Sequence, residues 1–273
     1  MNKFKKIINY MTMEFKKIFN SYSVYGMALV VVMLCFLIPI YNEDRSRTNY
    51  LYVFFMCNKE DILNSSTYTA DCIISNVTSG YFIMFAPMIV SLALIPIFCE
   101  EKESGLIRYL LPRSGFSAMT KGSFIASQLV GGIVLLMGYI IFFAIVIAHS
   151  VFIGEAEFMD LLSENWFEMI NLCIGTFLYG VVCSSFTFLT SIFVKNRYLL
   201  ASIPYMFLWI VDRFINNAGR ETFFSKYLHI SRFLSPFYVG KDLIVMFGFY
   251  LIFSILVVSL AKKIMQRSVD CGK

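Results

Sequence analysis

The sequence has too few charged residues for an ordinary soluble domain. Asp, Glu, Lys and Arg make up 15% of its 273 residues, against about 25% in typical soluble proteins. Hydrophobic residues make up 58%, where about 45–50% is usual. A soluble chain of this length cannot bury so much apolar surface. The composition therefore indicates a protein that lies in a lipid bilayer.

The sequence also lacks the residues of a nucleotide or metal site. The phosphate-binding pattern G-x-x-x-x-G-K-[ST] is missing, since Gly240-Lys241 is followed by Asp242 and has no glycine five positions before it. The two histidines, His149 and His229, have no His or Cys partner at metal-ligand spacing. We expect no cofactor and no metal on this chain.

The motif of membrane-embedded proteases is incomplete. Those enzymes use Glu-Glu-x-x-x-Arg, and Glu100-Glu101 matches its first two residues. Gly105 stands where the arginine is required, and no histidine lies within an apolar run. The sequence therefore predicts that the protein is not an enzyme.

Six apolar runs contain no Asp, Glu, Lys or Arg, and they are Val24–Ile40, Tyr81–Ile97, Phe124–Ala148, Ile170–Val194, Tyr198–Val211 and Leu243–Ala261. A helix needs roughly 20 apolar residues, within a range of about 17–25, to cross the hydrocarbon core. The fifth run is shorter, so it must extend to Ile215, tilt little, or form a buried or re-entrant helix. The polar-apolar alternation of a barrel strand is missing. The sequence predicts an all-α membrane protein with six transmembrane helices.

Lys and Arg are distributed unevenly between the two sides of this topology. With the N-terminus inside, the inner segments hold 15 of the 23 basic residues and the outer segments hold the other 8. The segment His149–Glu168 has five acidic residues and no Lys or Arg, which places it outside. Because cytoplasmic loops carry the excess of Lys and Arg, we expect both termini in the cytoplasm. The net charge of +5 follows from this sorting and does not indicate nucleic acid binding.

An amphipathic helix is predicted over residues 1–22, before the first apolar run. Its lysines lie on one side, and the apolar residues that recur at helical spacing on the other are Phe4, Ile7, Ile8, Met11, Phe15, Ile18 and Phe19. Such a basic amphipathic helix lies along the membrane surface, with its apolar face at the acyl boundary of the bilayer. A signal peptide is the alternative, but the apolar core is too long and no small-x-small cleavage site follows it.

Two cysteines share one outer loop. Cys57 and Cys72 both fall between the first and second runs. A disulfide between them stays open, because connectivity cannot be read from a sequence.

The segment between the second and third runs has the most informative order of residues. Acidic residues leave the membrane, a short apolar stripe follows, and a proline ends it; the residues are Glu100, Glu101, Glu103, Gly105, Leu106, Arg108, Leu110, Leu111, Pro112, Arg113 and Lys121. This order resembles the permease subunits of the ABC-2 type exporter family, in which an acidic-Gly segment, a Leu-rich helix, a Pro-Arg-like pair and a Lys follow the second span. Phe233–Phe237 and the basic tail Lys262–Asp270 also look like that family. Gly115, soon after Arg113, departs from its pattern.

The resemblance implies one transmembrane permease domain over residues 1–273. It would consist of the interfacial helix 1–22, a cytoplasmic coupling segment at 99–122 and an extracellular re-entrant segment at 212–242. The permease would work as a homo- or heterodimer in a bacterial plasma membrane. Two separate ATPase subunits would bind ATP and Mg and receive the coupling segment in a groove. Amphipathic or hydrophobic cargo such as a peptide, lipid or drug would cross at the dimer interface.

Two other functions remain open at this point. A secondary carrier or channel is one, although ion-coupled carriers usually keep acids, histidines or arginines inside the membrane, and the six runs have no acid, Lys or Arg. A membrane enzyme is the other, and the missing motifs count against it.

Overall fold

The computed structural model describes residues 3–37, 39–41, 47–65, 67–76, 81–103, 115–154, 158–194, 196–217 and 241–270. These residues are mostly helical. In chain order the helices are α1 (Lys3–Phe19), α2 (Tyr22–Phe36), α3 (Tyr50–Met56), α4 (Lys59–Asn64), α5 (Ala70–Asn76), α6 (Tyr81–Glu103), α7 (Phe116–Ile153), α8 (Phe158–Phe193), α9 (Arg197–Asn217) and α10 (Lys241–Asp270). Between α2 and α3, β1 (Pro39–Tyr41) pairs antiparallel with β2 (Arg47–Asn49).

Long apolar helices make this a helical membrane protein. Among the described residues, Phe116–Ile153 and Met169–Phe193 are long and apolar enough to cross a bilayer. A third span is present if α1 and α2, which meet at 61°, count as one bent helix pair. Phe82–Pro96 and Arg197–Val211 are shorter apolar helices. The prediction of six spans is thus supported for two to three helices and stays a prediction for the rest.

The first apolar run ends its helix earlier than expected. We predicted an apolar span over Val24–Ile40, but α2 ends at Phe36 and Pro39–Tyr41 forms β1. Proline has no N–H to continue a helical ladder, whereas it is tolerated as the first residue of a strand. The chain is therefore not purely helical, since this short hairpin interrupts it.

The predicted outer loop His149–Glu168 is largely helical. Helix α7 continues to Ile153, and α8 already begins at Phe158. At Gly154 the backbone is left-handed (φ 78°), and its N–H bonds to the carbonyls of Ser150 and Val151. Glycine adopts this conformation without a Cβ penalty, so it ends the helix. The loop prediction was too long because the apolar residues after His149 extend α7.

Helix α7 lies at the centre of the bundle. It packs against α1, α2, α6, α8 and α10. One face of its mid-section is fully buried, as Val134, Leu135 and Tyr139 show with 0% exposure, whereas Ile140 and Ile141 are exposed. Helix α9 packs on α6 and α8. It runs through Ile215 to Asn217, but its apolar part, Arg197–Val211, is short, so the fifth span stays a prediction.

The predicted re-entrant segment at 212–242 falls mostly on residues 218–240, which lie outside the described residues. Its first residues belong to the end of α9 and its last two to the start of α10.

Candidate functional site

The predicted coupling segment joins the ends of α6 and α7. Glu100, Glu101 and Glu103 lie in the last turns of α6, and Lys121 is an exposed residue in the second turn of α7. The other predicted coupling residues lie outside the described residues, and they are Gly105, Leu106, Arg108, Leu110, Leu111, Pro112 and Arg113. The structure therefore locates both flanks of this segment, and its role in coupling stays a prediction.

The start of α7 packs directly against α1. A Cβ added to Gly122 would lie 2.8 Å from Cδ1 of Tyr10 and 3.1 Å from the backbone nitrogen of Met11. Tyr10 is buried, at 6% exposure. Such a short distance leaves no room for a side chain at position 122. Helix α1 therefore rests on α7 one residue after Lys121, where the predicted coupling segment ends.

Helix α1 has a buried face that differs from the one we predicted. Tyr10, Glu14 and Ile18, each four residues after the last, are 6%, 2% and 1% exposed. Since Ile18 lies in the protein core, the prediction that it faces the acyl boundary is wrong. The other predicted residues are at least partly accessible: Phe4 and Ile8 are exposed, and Ile7, Met11 and Phe15 are half-buried. For them the membrane-surface position stays a prediction.

Glu14 is a feature that the sequence analysis missed. It is the one charged side chain among the buried polar groups of the described residues. A buried carboxylate needs compensating partners, and Glu14 does have an interaction partner. Its position four residues from both Tyr10 and Ile18 was the available signal. That spacing puts an acid in the middle of a buried stripe.

Glycines set the distance between α7 and its neighbours. A Cβ on Gly180 of α8 would clash with the carbonyl oxygen of Gly131 and lie 2.8 Å from Cα of Gly132. A Cβ on Gly138 would lie 2.5 Å from Cβ of Val31 on α2. Small residues let membrane helices approach until their backbones touch. The recurrence of glycine along α7 was visible in the sequence and indicates a helix that is packed on several sides.

A proline in α6 leaves a backbone carbonyl that a neighbouring helix satisfies. Pro87 has no N–H, so the carbonyl of Ile83 loses its helical donor. The hydroxyl of Tyr179 on α8 donates to this carbonyl at 2.8 Å. Ser91 donates to the carbonyl of Pro87 at 2.8 Å, and its hydroxyl lies 2.7 Å from that of Thr187 on α8. The Tyr179–Ile83 bond and the Ser91–Thr187 contact tie α6 to α8 on either side of Pro87.

A second proline lies closer to the coupling segment. Pro96 falls inside α6, seven residues before its last residue Glu103. Three residues before this proline, the carbonyl of Ala93 accepts a hydrogen bond of 3.0 Å from Ser23 on α2. Since sharp helix bends mostly occur at prolines, α6 has two positions where it can bend between the bundle and the segment.

A polar cluster joins α7, α8 and α10 inside the bundle. Gln128 donates from Nε2 to the hydroxyls of Ser185 (3.0 Å), Tyr250 and Ser254 (3.4 Å). The Ser185 and Tyr250 hydroxyls are 2.7 Å apart, and both reach the carbonyl of Val181. All four side chains are uncharged. Hydrogen bonds of this kind hold membrane helices together at modest energy.

His149 lies in an aromatic environment. Its Nδ1 is 3.3 Å from the hydroxyl of the fully buried Tyr50, and its ring centroid is 4.5 Å from that of Phe54. Phe142 packs on Tyr50 at 5.6 Å. Among the described residues, no group of three or more His, Cys, Asp or Glu side chains is placed to hold a metal ion.

Comparison of the sequence with protein-family models and with curated proteins finds no match to either.

Proposed function

We propose that this chain is the membrane permease subunit of an ATP-driven ABC exporter of the ABC-2 type. In this proposal it has six spans and both termini in the cytoplasm. It works as a dimer with separate ATPase subunits that bind ATP and Mg. Its cargo is amphipathic or hydrophobic, such as a peptide, a lipid or a drug.

The contact between Gly122 and Tyr10 is the observation that carries this proposal. A partner that moves the segment 99–122 must transmit the movement to the membrane helices. Here the segment is continuous with α6 on one side and with α7 on the other. Because α1 packs tightly on α7 at Gly122, α1 and α7 would move together. The predicted coupling segment therefore leads directly into the central helix of the bundle.

The two prolines of α6 support the same proposal. Sharp bends in a helix occur mostly where its hydrogen-bond ladder is interrupted, as it is at a proline. Pro87 and Pro96 provide such positions. Tyr179 and Ser23 hold neighbouring carbonyls, so the bend is tied to α8 and α2. Movement of the segment would thus reach three helices.

The uncharged interior of helices α6, α7, α8 and α10 favours an external energy source over ion coupling. The described buried polar groups of α6, α7, α8 and α10 are hydroxyls of Ser, Thr and Tyr and thiols of Cys. Several of the Ser and Thr hydroxyls bond to carbonyls of their own helix. Glu14, the buried acid, belongs to α1. A secondary carrier usually needs titratable groups within its spans. Transport that continues after an uncoupler collapses the proton gradient, with ATP maintained, is the expected result. Transport that stops would favour the carrier.

Leu110→Asp tests the proposal most directly. A carboxylate facing an apolar groove on the partner costs several kcal/mol, so the variant should insert normally but lose cargo efflux and the co-purifying ATPase. Leu63→Asp makes the same chemical change at an exposed position of α4 (46% exposed) and should keep both. Normal efflux by Leu110→Asp would show that the segment does not couple to an ATPase.

A further inference from the structure

Helix α3 carries exposed apolar side chains outside the predicted spans. None of its seven residues is charged. Leu51, Tyr52, Phe55 and Met56 share one face of the helix, and they are 42%, 51%, 69% and 71% exposed. A contiguous apolar surface of this kind marks a contact with a protein or with a membrane. The position of α3 along the spans indicates which of the two it is.

The opposite face of α3 packs against α2 and α7. Tyr50 is fully buried, and its ring centroid lies 5.6 Å from those of Phe36, the last residue of α2, and of Phe142 on α7. The ring centroid of Phe54 lies 4.5 Å from that of His149. Phe142 lies inside the third apolar run, and His149 directly follows that run. Helix α3 therefore lies beside the part of α7 that is predicted to be in the hydrocarbon core.

The charged residues that follow α3 lie further along α7. A Cβ added to Gly154, where α7 ends, would lie 3.7 Å from Nζ of Lys59 at the start of α4. Gly154 is twelve residues after Phe142, which is about 18 Å along a helix. Lys59, Glu60 and Asp61 are all exposed. The exposed side chains thus change from apolar on α3 to charged on α4 over the same stretch in which α7 ends.

We propose that the exposed face of α3 lies in the bilayer, as an interfacial helix in the leaflet at the Gly154 end of α7. Interfacial helices bury an apolar face about 5–10 Å into the boundary between headgroups and acyl chains, and tyrosine is frequent at this depth. The charged residues of α4 stay in water. The partner is bilayer phospholipid, because lipid surrounds the spans at the depth where α3 packs on them. This inference needs only a membrane-embedded bundle and does not depend on the exporter function.

Tryptophan fluorescence of the full chain in phosphatidylcholine vesicles tests this position. Trp166 and Trp209 are first replaced by phenylalanine, and one tryptophan is introduced by Phe55→Trp on α3 or by Asp61→Trp on α4. With phosphatidylcholine brominated on its acyl chains, Phe55→Trp should lose at least half of its fluorescence and Asp61→Trp should lose little. Iodide on both sides of the membrane should quench the two variants in the opposite order, because it stays in water.

Two results would overturn the proposal. Quenching of both variants by iodide, with no effect of the brominated lipid on Phe55→Trp, would place α3 in water. Protection of Phe55→Trp from both quenchers would show that protein covers this face, and it would assign the face to a partner such as a second copy.

Cysteine labelling provides a second measurement that needs no tryptophan. In a variant without native cysteines, Phe55→Cys and Asp61→Cys are each treated with a water-soluble maleimide in open membranes. The reactive form of the thiol is the thiolate, which is disfavoured in an apolar environment. Phe55→Cys should therefore react at least tenfold more slowly than Asp61→Cys. Equal rates would contradict immersion of α3 in the bilayer, even if the tryptophan variants fail to fold.

Discussion

Tyr179 donates its hydroxyl proton to the carbonyl oxygen of Ile83 at 2.8 Å, and this carbonyl has lost its helical donor because Pro87 follows four residues later. A tyrosine on α8 thus takes the place of a missing backbone N–H on α6. The bond fixes the two helices at the point where α6 is weakest. This bond also bears on the proposed function, because α6 continues into the segment that we propose contacts an ATPase.

Removing this hydroxyl should destabilise the bundle. Tyr179→Phe leaves the Ile83 carbonyl without its interhelical donor, and we expect a loss of about 1 kcal/mol in unfolding free energy, the usual size of such bonds in membranes. Reversible unfolding in mixed detergent micelles measures it. Tyr198→Phe, at a position 85% exposed, should change the free energy much less.

A second substitution separates the proline effect from ordinary packing. In a Pro87→Ala background the new backbone N–H can bond to Ile83 itself. Tyr179→Phe should then cost clearly less than it does beside Pro87. Equal costs in both backgrounds would mean that Tyr179 acts only through contact of its ring.

The approach of α7 and α8 predicts a sharp difference between two glycines. Gly180→Ala places a Cβ against the carbonyl oxygen of Gly131 and 2.8 Å from Cα of Gly132, and forcing an extra carbon into a packed contact costs about 1–3 kcal/mol. Gly26 in α2 has nothing within 4 Å of its added Cβ. Gly26→Ala should therefore be neutral or stabilise by about 0.5–1 kcal/mol, because alanine favours a helix. Thermal unfolding in detergent compares the two, and similar melting temperatures would contradict this packing.

Thiol labelling tests the predicted topology. In a background without native cysteines, Glu157→Cys should react with an impermeant thiol reagent in intact cells, and Lys195→Cys should react only after lysis. The reason is the excess of Lys and Arg in the inner segments. Labelling with the opposite pattern would reverse the orientation and place the segment 99–122 outside, away from any cytoplasmic ATPase.

Cys57 should react slowly with alkylating reagents near neutral pH. It lies between α3 and α4; burial, and then the charge of Asp61, raise the pKa of its thiol above the usual value. Since the thiolate is the nucleophile, its fraction at pH 7 falls as the pKa rises. Asp61→Asn removes one of the two causes and should speed alkylation by N-ethylmaleimide.

A neighbouring acid provides the matched control for Cys57. Glu60→Gln removes the same charge one residue away, at a side chain that does not contribute to the shifted pKa. Its alkylation rate should stay close to that of the unaltered protein. If both substitutions speed the reaction equally, the effect comes from net charge and not from Asp61.

Neither cysteine of the predicted outer loop is joined in a disulfide, since Cys57 and Cys72 are both thiols.

The periodicity of the sequence was a good guide to where helices form and a poorer guide to where they end. Apolar runs predicted the cores of α6, α7, α8 and α9, because an apolar stretch in lipid must satisfy its backbone internally and a helix does so locally. The end of α2 was missed at Pro39, and the end of α7 at Gly154. In both places one residue with unusual backbone requirements outweighed the surrounding pattern.

The sequence likewise predicted one part of the candidate site and missed another part. The order of charged, glycine and leucine residues from Glu100 to Lys121 could be recognised in the sequence because these residues are contiguous in the chain. Glu14 was missed because its burial depends on α1 lying against α7, and a basic amphipathic pattern looks the same whether it faces lipid or protein. The bonds of Tyr179 and Gln128 were missed for a related reason, since each joins residues that are more than fifty positions apart.

By itself, the sequence determined that this protein belongs in a membrane, that it is mostly helical, and that its apolar runs carry no charge. These properties depend on composition and local order, which alone set how a segment partitions between water and lipid. The tertiary structure decided which glycines touch and which carbonyl Tyr179 satisfies. Such contacts depend on the relative placement of distant helices, and several placements satisfy the same hydrophobic pattern. Only close packing selects among them.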